Sequence, residues 1–165
     1  MTNTSAQKGI RQHVHKHLLK PHGVGARYGL TEPRLRQFPN LTEVGERRAV
    51  VLMVELGWPI DVRGGVGWVV SALNHAVARG AAHLTLFLLE HGARWTEPNG
   101  HDDNVNGTLA WASRNEFVPK TEREGDWLGC AKALIKHGMI PNWEGDYADD
   151  VADYFATIRA EQSCA

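Results

Sequence analysis

Ser71 to Thr96 reads SALNHAVARGAAHLTLFLLEHGARWT, and this stretch decides the fold. It holds two short helical patterns back to back. The first is expected over Ala72 to Ala78 with Gly80 closing it, the second over Ala82 to Glu90 with Gly92 closing it. A Gly just past a helix supplies the left-handed residue that ends the last turn. Leu84, Phe87 and Leu88 recur at helical spacing, and Leu89 widens the apolar face. A helix–turn–helix this short cannot bury its apolar faces alone, so it implies neighbours of the same shape.

The rest of the chain supplies them. Gly45 and Gly57 precede Gly80 and Gly92, each pair being 35 residues apart. The run Ala49 to Asp61, AVVLMVELGWPID, repeats the sense of Leu84 to Thr96, and Leu128 to Asn142, LGCAKALIKHGMIPN, is a third copy. Gly138 lies 46 residues after Gly92, so the third unit carries extra residues, and these fall within Asn115 to Gly125. Two glycines per unit at one period, each beside a matching apolar run, make the repeat reading strong.

These residues resemble an ankyrin repeat, whose pattern opens with Thr-Pro-Leu-His-x-Ala and ends in a leucine-rich helix, Gly-Ala and a short turn. Ser71-Ala72-Leu73-Asn74-His75-Ala76 stands at the opening, and Leu88-Leu89-Glu90-His91-Gly92-Ala93 at the end. Gly107-Thr108-Leu109-Ala110-Trp111-Ala112 keeps the Leu and the Ala, and Asn74 and Ala110 replace the pattern's His. Arg36 to Gly57 keeps little of the opening and has Pro39 inside it. The run Gly107 to Ser113, together with Gly125-Asp126-Trp127-Leu128-Gly129-Cys130-Ala131, further resembles bacterial ankyrin-type proteins of unassigned role. The resemblance implies an all-α solenoid of about three repeats over residues 36–142. Residues 1–35 would form a tail and N-terminal capping helix, and 143–165 a C-terminal capping helix.

The totals fit such a chain. Of its 165 residues 42% are hydrophobic, enough for a core, and 22% are charged, an ordinary fraction. No run approaches the roughly 20 apolar residues of a spanning helix, and no secretory signal is read at the N-terminus. Cys130 and Cys164 are the only cysteines, and Cys130 falls on an apolar helix, so a reduced, cytoplasmic protein is expected. Net charge is −1, yet residues 1–48 hold nine Lys/Arg against three Asp/Glu and the remainder nine against sixteen. The basic front could suit nucleic acid. It lacks interleaved aromatics before Tyr28, and solvated faces of one solenoid explain the asymmetry better.

Chemistry-bearing residues are sparse. Within Gly9 to Lys20, a candidate helix ended by Pro21, His13 and His17 share a face, but no carboxylate or Cys nearby completes a metal site. His101, Asp102 and Asp103 look like half of a metal site or a carboxylate pair. A turn is the expected reading, since Asp and Asn bond their own backbone there. No cofactor, no metal and no catalysis is expected. Trp58 to Val70 and Ala93 to Gly107 should project as hairpin fingers. Val151, Tyr154, Phe155 and Ile158 line one face of a helix whose first turn is rich in Asp. His75 and Trp111 share the x place of the opening pattern, which the resemblance implies faces inward.

By the same resemblance, a concave face is built from the fingers and the first helices. Carried over by register, its exposed places are Trp68 and Val70 in one repeat and Asp103, Asn104 and Asn106 in the next. Arg79, Arg114 and Asn115 add the ends of the first helices. Exposed Trp flanked by Arg concentrates binding energy at interfaces. The expected function is a protein-interaction module whose partner carries an acidic, partly apolar patch. A metal protein or enzyme using His101, Asp102 and Asp103 is the alternative, and neither a membrane nor nucleic acid is the expected partner. The Asn115 to Gly125 insertion is the second candidate surface.

Overall fold

The computed structural model describes residues 37–65, 67–114 and 124–163. The described residues are mainly helical, with seven helices and one small hairpin. In chain order they are α1 (Gln37–Glu43), α2 (Arg47–Glu55), β1 (Arg63–Gly64), β2 (Val70–Ser71) and α3 (Ala72–Ala78). Then follow α4 (Ala82–Glu90), α5 (Val105–Arg114), α6 (Trp127–Lys136) and α7 (Asp149–Ser163). The expected helical class holds, and α3 and α4 occupy the residues that the glycine spacing assigns to them. The candidate helix at Gly9 to Lys20, the early histidines, Cys164 and most of the 115–125 insertion lie outside the described residues.

The chain divides into two compact units, one up to Ala72 and one from Leu73. In the first, α1 packs on α2, and Phe38, Val50 and Met53 are among its buried apolar residues. Pro39 does not break α1, because it stands in the first turn, where no intrahelical N–H is needed. The Thr42 hydroxyl donates to the Phe38 carbonyl, 3.2 Å away, which satisfies a buried polar group inside the helix. The finger after α2 is a hairpin: β1 and β2 pair antiparallel, Arg63 opposite Ser71 and Gly64 opposite Val70.

In the second unit α4 packs on α6, α5 also packs on α6, and α7 closes against α6. Leu73, Leu88, Leu109, Leu134 and Val151 are fully buried and belong to its core. The α4–α6 contact joins corresponding helices of successive helix pairs, and Thr85 Oγ1 lies 3.4 Å from Cys130 Sγ within it. α6 begins at Asp126, whose carboxylate accepts the Gly129 N–H at 2.7 Å, an N-cap of the usual chemistry. Asp149 and Asp150 open α7 at the positive end of its dipole.

The second helices α2, α4 and α6 close in the same way. Gly92 has φ 96°, its N–H donates to the Leu89 carbonyl at 3.1 Å, and the Ala93 N–H donates to the Leu88 carbonyl at 3.0 Å. This pair of bonds is a Schellman closure, and it needs a residue that accepts positive φ. Gly57 and Gly138 repeat it at the ends of α2 and α6. Gly80 has a second constraint. A Cβ there would stand 2.5 Å from Gly125 Cα, while the Asp126 N–H donates to the Gly80 carbonyl at 2.8 Å. The end of the long insertion is thereby seated on the α3–α4 turn.

Truncating a buried Leu removes transfer energy and leaves a cavity. Leu88→Ala and Leu134→Ala should each cost about 2–5 kcal/mol in denaturant unfolding, with Leu88 the larger loss. Losses below about 1 kcal/mol at both would mean that the α4 and α6 faces are not core.

Candidate functional site

Asn74 organises the polar side of the second unit. It is fully buried on α3. Its Nδ2 donates to the carbonyls of Pro98, at 3.2 Å, and Glu97, at 3.5 Å, while its Oδ1 accepts from the Thr108 hydroxyl at 2.6 Å. One amide thus ties α3 to the second finger and to α5. Asn fits because it offers donors and an acceptor from one short, stiff group. It stands where the ankyrin pattern has His.

The finger holds itself in shape. Pro98 and Asn104 form an antiparallel bridge, and the Asn99 N–H donates to the Asp103 carbonyl at 2.9 Å. Asn99 Oδ1 accepts the His101 N–H at 2.9 Å, and Asp102 takes φ 57°, which Asp tolerates better than most residues. Asn104 Oδ1 accepts the Asn106 N–H at 2.8 Å and so starts α5. Glu97, largely buried, accepts from Arg94 Nη2 at 3.1 Å.

Residues 142–148 run back over α5. The Tyr147 hydroxyl donates to Asn106 Oδ1 at 2.8 Å, and the Ala148 N–H donates to Ser113 Oγ at 3.1 Å. Arg114 forms an ion pair with Asp146. Burial pushes the Tyr147 phenol above its ordinary value, the Asn106 bond works against this, and the charge of Asp103 adds to it.

The residues expected to form an exposed face are placed unevenly. In the first unit Trp68 is half-buried and Val70 fully buried. Val70 stands in the hairpin ladder with its side chain inside, so it is not a contact residue. In the second unit Arg79 and Asp103 are exposed, and Asn104 is half-buried at its capping task. Asn106 is 7% exposed, because Tyr147 covers it, and it too leaves the set of surface residues. Arg114 is partly exposed with its cation taken up by Asp146, and Asn115 lies outside the described residues.

Trp111 corrects the expectation in the other direction. The x place of the pattern is buried at His75, at 2%, but Trp111 is 56% exposed. Leu109 faces the core, and Trp111 lies about 200° further round α5, on the opposite side. Residues 142–148 cover Asn106 and Ser113 and leave the indole exposed. Register alone does not find this, since the same pattern position is covered in the preceding pair.

His101, Asp102 and Asp103 are exposed and serve the turn. Among the described residues no three His, Cys, Asp or Glu side chains gather as a metal would need. Nor is any described helix long and apolar enough to cross a membrane. Comparison with protein-family models, with curated proteins and with solved structures returned no match.

Cys130 is fully buried, and desolvation pushes its thiol up to about 12; the Thr85 contact lowers it somewhat and the charge of Asp126 raises it. At neutral pH it is a packed thiol and not a nucleophilic thiolate.

Asn74→Ala should destabilise the chain by about 1–3 kcal/mol, because Thr108 and two finger carbonyls lose their partner inside the fold. A loss within about 0.5 kcal/mol would mean the finger is not braced there. The raised values of Cys130 and Tyr147 also fix a pH window. Each contributes stability that is fully present below its ordinary pKa, 9.0 for the thiol and 10.0 for the phenol, and lost as pH rises toward the folded value. Unfolding free energy should therefore fall progressively above pH 9.0. In a Cys164→Ser background the fall should be shallower for Cys130→Ala than for its parent.

Proposed function

We propose that the chain is an ankyrin-type repeat module that binds a partner protein in the cytoplasm and performs no catalysis of its own. The observation that carries this reading is the recurring helix pair. The second helices α2, α4 and α6 end in the same Gly closure, and in the second unit successive second helices pack side by side. Fingers precede α3 and α5, which is where an ankyrin-like array would have them. A scaffold of this kind has no built-in chemistry, and its function lies in the surface side chains it presents.

Those side chains are Trp68 in the first unit and Arg79, Trp111 and Arg114 in the second. The expectation of an acidic partner rests on Arg79 and Arg114 as exposed cations, and the Arg114–Asp146 pair removes one of these supports. The module reading itself needs only an exposed, rigidly held set of aromatic and charged groups, which are the types that dominate binding energy.

The test is affinity capture from the source cell, mass spectrometry of what is retained, and binding of that protein to Trp68→Ala, Arg79→Ala and Arg114→Ala variants. All three should fold, and at least one should weaken binding by roughly 2 kcal/mol or more. Full binding by all three would move the site off the finger and first-helix face.

A further inference from the structure

We infer that the exposed stripe of α5 centred on Trp111 is a docking site for a Lys/Arg-rich peptide segment of the partner; this rests on the module reading and specifies its ligand. The stripe is built from Asp103, Gly107, Trp111, Arg114 and Asp146. Trp111 is 56% exposed. One turn before it, Gly107 carries no side chain, and the Asp103 carboxylate lies across that gap: a Cβ on Gly107 would be 2.1 Å from Asp103 Oδ2. A helical aromatic leans toward the turn before its own Cα, so the indole and this carboxylate share one side of α5. Toward the other end, Arg114 is held by Asp146, whose side chain remains 74% exposed.

Charge decides the occupant. The Asp103 carboxylate is exposed. The Arg114 charge is already matched by Asp146, and its Nε is buried, so it offers little to an incoming anion. Residues 144–148, the segment lying on α5, add Glu144 and Asp146 with no Lys or Arg among them. An acidic segment would meet like charge here. A Lys ammonium or Arg guanidinium can stack on the indole face while a carboxylate beside it balances its charge, and neighbouring basic residues find Glu144 and Asp146. Lys and Arg stems also cover apolar surface, which suits a half-exposed Trp.

The experiment uses the full chain and two labelled synthetic peptides of equal length, one Lys/Arg-rich and one Asp/Glu-rich, with binding read by fluorescence anisotropy at low and at physiological salt. The basic peptide should bind and the acidic one should not. Trp111→Ala should weaken the basic peptide at least roughly tenfold, since the anchoring aromatic is lost. Asp146→Asn should weaken it also, because it removes a carboxylate and frees Arg114. Asp153→Asn, on the exposed side of α7, should change binding by less than about twofold if the site is local. Helicity and thermal unfolding of each variant confirm that the fold is kept.

An acidic peptide bound through Trp111 would overturn the proposal by sign. Equal losses at Asp153→Asn and Trp111→Ala would overturn it as diffuse charge attraction. Self-association of the chain that Trp111→Ala abolishes would make a second copy the occupant. Failure of both peptides would end this inference alone, because the module reading is judged separately on the captured protein.

Discussion

Helices of seven to ten residues do not hold in water by themselves. Nucleating a helix is costly, and isolated helices shorter than about 12–15 residues are marginal even with favourable sequences. Six of the seven described helices, α1 to α6, fall in this range. Each therefore depends on burying an apolar face against a neighbour, and the α4–α6 contact is where the second unit does this most fully. The glycine closures follow from the same constraint. A short helix has to end sharply for the chain to return to its partner, and the left-handed residue ends it without leaving carbonyls unmet.

Once the helices are fixed by apolar burial, polar groups decide what the surface presents. Asn74 is closed to any ligand because it holds the finger against α3 and α5. Tyr147 and Ala148 fasten residues 142–148 to α5, and this placement buries Asn106, pairs Arg114 and leaves Trp111 exposed. The exposed surface of α5 is thus defined by which parts of it the returning chain covers.

Much of the helical architecture is legible in the sequence. The glycine period and the apolar spacing place α3 and α4 to the residue, because both are local signals with a direct geometric cause. The fingers are legible in Asp61-Val62-Arg63-Gly64-Gly65 and in Pro98 to Asn104, which carry the residues that turns require. The surface is less legible. Register makes Val70 and Asn106 exposed, yet each is buried by a partner elsewhere in the chain, the hairpin ladder in one case and Tyr147 in the other. Register likewise turns Trp111 inward, because its pattern position is inward at His75. Its exposure depends on the path of the chain much later, at Asp146 to Ala148, and no periodicity encodes that. The pairing of Arg114 is illegible for the same reason, since the Arg114–Asp146 pair joins residues 32 apart.

The repeat architecture proposed for the second unit stands or falls with α4 and α6 packing on each other as equivalent elements. Nuclear Overhauser contacts in the isotope-labelled chain decide this. Cross-peaks are expected between α4 and α6, including Thr85 with Cys130, whose side chains are 3.4 Å apart. Couplings at Gly92 and Gly138 should report positive φ. A folded chain with no α4–α6 contact, and with these glycines at ordinary negative φ, would refute the repeat architecture.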